Sequence, residues 1–332
     1  MKSPTCKSTV HLFQKEMYFW TFGTIMAVLL SWMTMIYLNS WRLLLTILAL
    51  PALLVLMCLK WYPESARYYL VSDQYEKAVE VLQEVAKING TELPTGRLVR
   101  VVAEEKRGRL KKLLSKEYWM ATLLLWYLGW ATYLVVYGAS FITPIIIQAG
   151  FLGRVENNNQ TSGNETESAS DVVPCVEFTQ ENFIDLLWMS CAELPGLLIF
   201  TFIAEKWSRK MTLSISCIIN GILLLLLLLR TYKSVILIIL FAIRGFMVAI
   251  SRLVFIISLE IYPTTFRSVG LAYHLLFGEL AGFVAPYVAQ VLVYDQPEAA
   301  IGVLSGSIIL AGIAAAFLPF ETKGVYMKEV AK

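Results

Sequence analysis

Four ionisable side chains stand inside long apolar runs of this 332-residue chain. Arg244 and Arg252 lie in ILFAIRGFMVAISRLVFIISLEIYPTTFR, which runs from Ile239 to Arg267, and Glu193 and Glu279 lie in two other runs. An arginine at the centre of a bilayer costs roughly 2.5–3.5 kcal/mol on insertion scales, so such side chains face a bundle interior or a wet cavity. The two arginines stand about 12 Å apart along an ideal helix and about 80° apart around it, so both can face the protein interior. Arg244 is the deeper one. Arg252, nearer the inner leaflet, is placed to pair with Glu260 or to snorkel. An isolated buried carboxylate is costly, so Glu193 and Glu279 each need a partner or a proton. Arg244 is a candidate partner for either. Two readings stay open: a solute or proton site, or a structural ion pair that fixes helix packing. Tyr137, Trp126, Trp130 and Trp188 are placed either to line an aromatic cavity or to act as packing and interfacial anchors. Gly278 and Gly282 form a small-xxx-small face that permits close helix approach.

These residues need membrane helices to position them. The chain is 57% hydrophobic and 16% charged, with a mean hydropathy of +0.62, well beyond the balance of a soluble domain. Eight candidate spans fall at 17–38, 42–61, 118–147, 184–204, 211–229, 234–258, 268–292 and 299–318, each close to the length of about 20 residues that a bilayer core requires. The third is long enough to tilt, or to bend at Pro144. The first 16 residues do not read as a signal peptide. Among the five cysteines no C-x-x-C pair occurs, which leaves metal and redox chemistry without support. Cys58, Cys191 and Cys217 fall in apolar runs and read as packing residues.

Lys and Arg counts orient the spans. Twelve lie between 60 and 116, and more follow at Lys206, Arg209, Lys210, Arg267, Lys323, Lys328 and Lys332. The alternate loops are poor in them. Both termini and the 62–117 segment are therefore expected in the cytoplasm, and the 149–183 loop in the lumen or outside. That loop carries glycosylation sequons at Asn159 and Asn164. Within 62–117, SDQYEKAVEVLQEVAKING predicts an amphipathic helix, with Asp73 and Glu76 as a capping box and Asn89-Gly90 as its end. LVRVVAEEKRGRLKKLLSKEYW predicts a second, basic one. Both read as short surface helices on the membrane, or as solvated linker helices. The fold class is an all-α membrane protein with about eight transmembrane helices. Its expected parts are 1–61, a cytoplasmic linker at 62–117, a six-helix bundle at 118–320 with the outer loop 149–183, and a tail at 321–332.

Four motifs at the span edges carry a resemblance. YPESARYYL at 62–70 is similar to the P-E-S-x-R signature of sugar and organic-ion carriers. EKWSRK at 205–210 resembles a degenerate D-R-x-G-R-[KR] loop motif, EIYPTTFR at 260–267 the E-x-Y-P-T-x-x-R that follows a tenth span, and LPFETKG at 318–324 the close of a last span. Together they resemble the major facilitator superfamily, and within it the synaptic vesicle 2-related branch. The resemblance implies a carrier that rocks one helical bundle against another, moving a small organic solute, with or without a coupling proton or ion, across the plasma membrane or a secretory or synaptic-type vesicle membrane. It implies a cytoplasmic gate of charges drawn from Glu64, Arg67, Glu205, Arg209, Lys210, Glu260, Arg267 and Glu321, whose pairings differ between the two shapes. The solute or coupling path is then expected at Arg244, Glu279, Glu193, Tyr137 and Trp188. Lys206 and Lys210 equally fit ordinary interfacial charge. Glu279 departs from the related carriers, where its position is commonly basic. Such carriers have twelve spans in two bundles of six, so the first four are expected to be missing from a truncated major facilitator fold, with 1–61 as the last two helices of the N-terminal bundle. A short isoform, an incomplete gene model or a truncated protein would each give that pattern. A second function stays open: a non-transporting vesicle component, or a partner of a full-length carrier. Metalloprotease, phosphate-loop and serine-hydrolase motifs are missing and only His11 and His274 occur, so an enzyme is not expected. Nor is a cofactor, a metal or a nucleic-acid partner; the expected partners are the lipid bilayer and the solute.

Overall fold

The computed structural model describes residues 4–71, 74–93, 113–149, 178–229, 231–263 and 266–319. Among these every regular element is helical. Eight helices are long and apolar enough to cross a membrane: Tyr18–Tyr37, Trp41–Trp61, Trp119–Gln148, Gln180–Phe200, Arg209–Leu226, Lys233–Ile261, Arg267–Asp295 and Pro297–Ala316. They match the eight expected runs. The chain divides into two units, Ser40–Arg107 and the remainder.

Following α1 (Pro4–Trp32), which belongs to the larger unit, the smaller unit holds α2 (Trp41–Cys58), α3 (Ala66–Val71) and α4 (Tyr75–Ile88). Asn39 before it has a positive φ of 43°, which breaks the chain ahead of α2. The Ser40 side chain then caps the helix by accepting from the Leu43 N–H. After α2 the chain turns through Leu59–Trp61 and reaches Pro63, which cannot continue a helix. α4 is strongly amphipathic. Its Ala78 is buried, and Lys77 lies over the Tyr69 ring of α3. Gly90, at φ 63°, closes it, and the Thr91 N–H turns back to the Ala86 carbonyl. Asp73 of the expected capping box lies outside the described residues, as does most of the expected second surface helix; the N-cap of α4 is Gln74, whose side chain makes no capping hydrogen bond. Cys58 is exposed rather than packed, Cys191 is half-buried and Cys217 is buried.

The larger unit holds α1 (Pro4–Trp32, continued by a π turn at Met33–Tyr37) and a bundle. The bundle comprises α5 (Trp119–Ala149), α6 (Gln180–Cys191), α7 (Glu193–Lys206), α8 (Arg209–Leu226), α9 (Lys233–Ile261), α10 (Arg267–Pro286) and α11 (Pro297–Ala316). α5 packs on α10 and α11, α8 on α11 and α9, and α7 on α9, while α1 lies along α6. A continuous apolar core links these helices, with Leu125, Leu128, Leu213, Leu224, Ile243, Ile250, Leu304 and Ile308 among its members.

Besides the π turn that closes the first span, two interruptions were not expected from the sequence. The fourth span is broken at Ala192 into α6 and α7. Pro195 explains it: without an N–H it cannot bond the Cys191 carbonyl, so the turn tightens and the Ala192 N–H bonds Met189 and Ser190 instead. The seventh span passes Pro286 into a π turn at Tyr287–Leu292. α5, by contrast, runs through Pro144 as one helix.

Candidate functional site

The break in the fourth span places Glu193 in the first turn of α7. Its side chain is only 1% exposed. The N-terminal end of a helix favours a carboxylate there. The charge is met across the helix contact by Arg244 of α9. Arg244 Nε donates to Glu193 Oε1 at 2.9 Å, and Arg244 Nη2 reaches the same oxygen at 2.8 Å. Arg244 Nη1 donates to Ser140 Oγ of α5 at 2.9 Å, and Ser140 Oγ donates to the Val136 carbonyl at 2.6 Å. One arginine thus ties three helices. Glu193 Oε2 is buried with no hydrogen-bond partner among the described residues.

The reason Arg244 and Glu193 meet is a contact between two glycines. Gly245 follows Arg244 and Gly196 lies one turn beyond Glu193. A Cβ on Gly196 would stand 2.6 Å from the Gly245 carbonyl oxygen and 2.8 Å from its Cα. The α7 and α9 backbones therefore touch, and the neighbouring charges fall within reach.

Glu279 of α10 is exposed. Its carboxylate accepts from the Tyr137 hydroxyl of α5 at 3.5 Å. Arg244 is thus paired with Glu193, and Glu279 sits with the α5 tyrosines. Gly278 and Gly282 make this possible, because they lie under the rings of Tyr133 and Tyr137. Trp126 stacks on Phe277 at a centroid distance of 4.7 Å. Trp130 is half-buried against the core. Trp188 stands apart from this group: it is 58% exposed and stacks on Phe241 at 5.1 Å.

A second charge group gathers where α8 and α10 begin and α9 and α11 end. Arg209 pairs with Glu260. Lys210 Nζ donates to the Leu318 carbonyl at 2.7 Å, and Arg267 Nε to the Tyr262 carbonyl at 3.2 Å. Glu260 therefore meets Arg209, from a neighbouring helix. Beneath them the buried Tyr262 hydroxyl donates to Thr122 Oγ1 at 3.1 Å, and Thr122 Oγ1 to the Leu113 carbonyl at 2.9 Å. Burial raises the Tyr262 phenol above its ordinary range, which keeps it a neutral donor. Glu64 is exposed, and its Oε1 accepts from the Ser65 N–H. Arg67 and Glu205 lie on described helices, but their side chains, like Glu321, Asn159 and Asn164, fall outside the described residues.

Sequence reasoning missed four participants. Ser140 gave no signal beyond standing four residues before Pro144. Tyr133 gave a detectable one, since it precedes Tyr137 by one helical turn. At the opposite end of the bundle Lys233 of α9 pairs with Asp185 of α6 at 2.9 Å, a contact that no loop count could reveal.

Comparison with known proteins supports the same architecture. The chain is 34% identical to the synaptic vesicle 2-related protein of Xenopus laevis over 94% of its own length and 56% of that protein's. It is 32% identical to the Rattus norvegicus synaptic vesicle 2-related protein over the same shares. It is 27% identical to Homo sapiens SVOPL over 94% of its own length and 63% of that protein's. The chain thus spans about three-fifths of the length of these relatives. Residues 6–149 and 178–332 match the family described as sugar (and other) transporters. With eight apolar spans, charged motifs at their edges and a match over nearly the whole sequence, this chain belongs to the sugar (and other) transporter family of the major facilitator superfamily and is a multi-pass membrane protein.

Proposed function

We propose that the protein takes part in moving a small organic solute across a membrane by alternating access, along a path that passes Arg244, Glu193, Glu279 and Tyr137. The observation that carries this reading is the Arg244–Glu193–Ser140 network. An ion pair with its arginine 26% exposed inside a span, built at a broken helix, is an arrangement that membrane carriers use for solute and ion sites. On this reading 118–320 is the C-terminal bundle, 62–117 a cytoplasmic linker and 149–183 an outer loop. Both termini are cytoplasmic, and the membrane is the plasma membrane or that of a secretory or synaptic-type vesicle. A coupling proton or ion is compatible with the unpartnered Glu193 Oε2.

The test is uptake, screened over classes of small organic solute in proteoliposomes holding the protein. Saturable uptake that disappears in Arg244→Ala at equal reconstituted amounts supports the path. Normal uptake in both Arg244→Ala and Glu279→Ala contradicts it. A second reading is a non-transporting chain that associates with a full-length carrier. Co-purification with such a carrier, without transport, supports that reading.

The Arg209–Glu260 pair is assigned to the inner gate. Its side chains are 18% and 14% exposed. Arg209→Gln leaves the mostly buried Glu260 carboxylate without this partner, at a cost of about 3 kcal/mol, and Glu260→Gln removes the same ion pair from Arg209. We expect each single change to lower Tm by several degrees and to reduce uptake. The exchange Arg209→Glu with Glu260→Arg recovers part of both. Thermal unfolding of the three variants measures this; equal losses in the exchanged protein and the single variants contradict a pairing role.

A further inference from the structure

The site described above also indicates the charge of its solute. Arg244 has little attraction to spare for an anion. Its Nε and Nη2 are held by Glu193 and its Nη1 by Ser140. Glu279 differs: it is exposed, within a span, and its contact with the Tyr137 hydroxyl is at the long limit of a hydrogen bond, 3.5 Å. A carboxylate in a span faces protein or a wet cavity rather than lipid. Beside it runs one face of α5. Trp126, Trp130, Tyr133 and Tyr137 follow one another at steps of four, three and four residues, which places them on a single helical stripe. All four are half-buried.

We propose that Glu279 and the α5 aromatic stripe form a binding site for an organic cation. The ammonium sits on the Glu279 carboxylate beside Tyr137, and the apolar body lies along the α5 rings, where a cation is attracted to the ring faces. This deepens the carrier reading and rests on it for the route across the membrane, while binding itself is measured without transport.

The experiment is equilibrium binding to the whole protein in uncharged phosphatidylcholine nanodiscs, with benzyltrimethylammonium, phenylacetate and benzyl alcohol as probes of one shape and three charges. The site predicts that the ammonium binds at least tenfold more tightly than phenylacetate. Glu279→Gln, nearly isosteric and at an exposed position, weakens the ammonium tenfold or more and leaves benzyl alcohol unchanged. Tyr137→Phe keeps the ring and releases the carboxylate, so the ammonium binds at least as tightly as in the parent. Phenylacetate binding as tightly as the ammonium, or ammonium binding unchanged in Glu279→Gln, overturns the proposal. The two readings fail separately. Ammonium binding that needs Glu279, without flux of any solute, upholds the site and removes the carrier. Saturable flux of an anion that needs Arg244, without ammonium binding, upholds the carrier and overturns the cation site.

Discussion

Arg244→Ala is expected to abolish solute flux and to destabilise the bundle by about 3–5 kcal/mol, because it strands a buried carboxylate without its counter-charge. Glu193 is 1% exposed, and one of its oxygens already lacks a hydrogen-bond partner among the described residues. The paired change Glu193→Gln with Arg244→Met separates the two roles of this site. It removes both charges, so most of the lost stability returns. Flux is not expected to return, because the guanidinium proposed to face the path is gone. Thermal unfolding in nanodiscs and proteoliposome uptake, run on the single and paired variants, read the two effects. Flux restored along with stability would reduce the pair to a packing device.

The second large effect is expected at Gly196. Its Cβ position is 2.6 Å from the Gly245 oxygen, 2.8 Å from the Gly245 Cα and 3.0 Å from the carbonyl carbon. These are backbone atoms and cannot swing aside. Gly196→Ala therefore pushes α7 from α9, with an overpacking cost of about 1–3 kcal/mol, and lengthens the Arg244–Glu193 contact at the same time. Gly302 and Gly306 of α11 are the controls, since a Cβ at either meets nothing within 4 Å. Alanine there is neutral or gains up to about 1 kcal/mol through the helix preference. Unfolding of the three alanine variants tests this, and similar behaviour at all three positions contradicts the close backbone contact.

These two residues also show what could be read in advance. The eight spans were legible because a bilayer imposes a length and an apolar composition that local sequence carries by itself. That Arg244 and Glu193 stand in apolar runs was legible for the same reason. Their pairing was not. Two carboxylates, Glu193 and Glu279, were equal candidates on burial cost. The choice depends on which helices touch, and Gly196 with Gly245 settles that only in three dimensions. A pairing of Glu260 with its own helix could be suspected from spacing, but that the start of α8 also brings Arg209 to Glu260 could not. The break at Ala192 had a readable cause in Pro195, but Pro144 stands in a span just as visibly and leaves α5 one continuous helix. Proline marks where a helix can open; packing around it decides whether it does.

The account rests on the Arg244–Glu193–Ser140 network lining an aqueous path rather than sealing a packed core. The most direct measurement is the accessibility of a cysteine at Ser140. In a protein whose five native cysteines, Cys6, Cys58, Cys175, Cys191 and Cys217, are replaced by serine, Ser140→Cys is treated with a charged, membrane-impermeant methanethiosulfonate from each side of the membrane. A water-filled path predicts modification, with rates that differ between the two sides and change when a transported solute is present. No modification from either side, in a protein that remains folded, would show a sealed structural ion pair and would contradict the account.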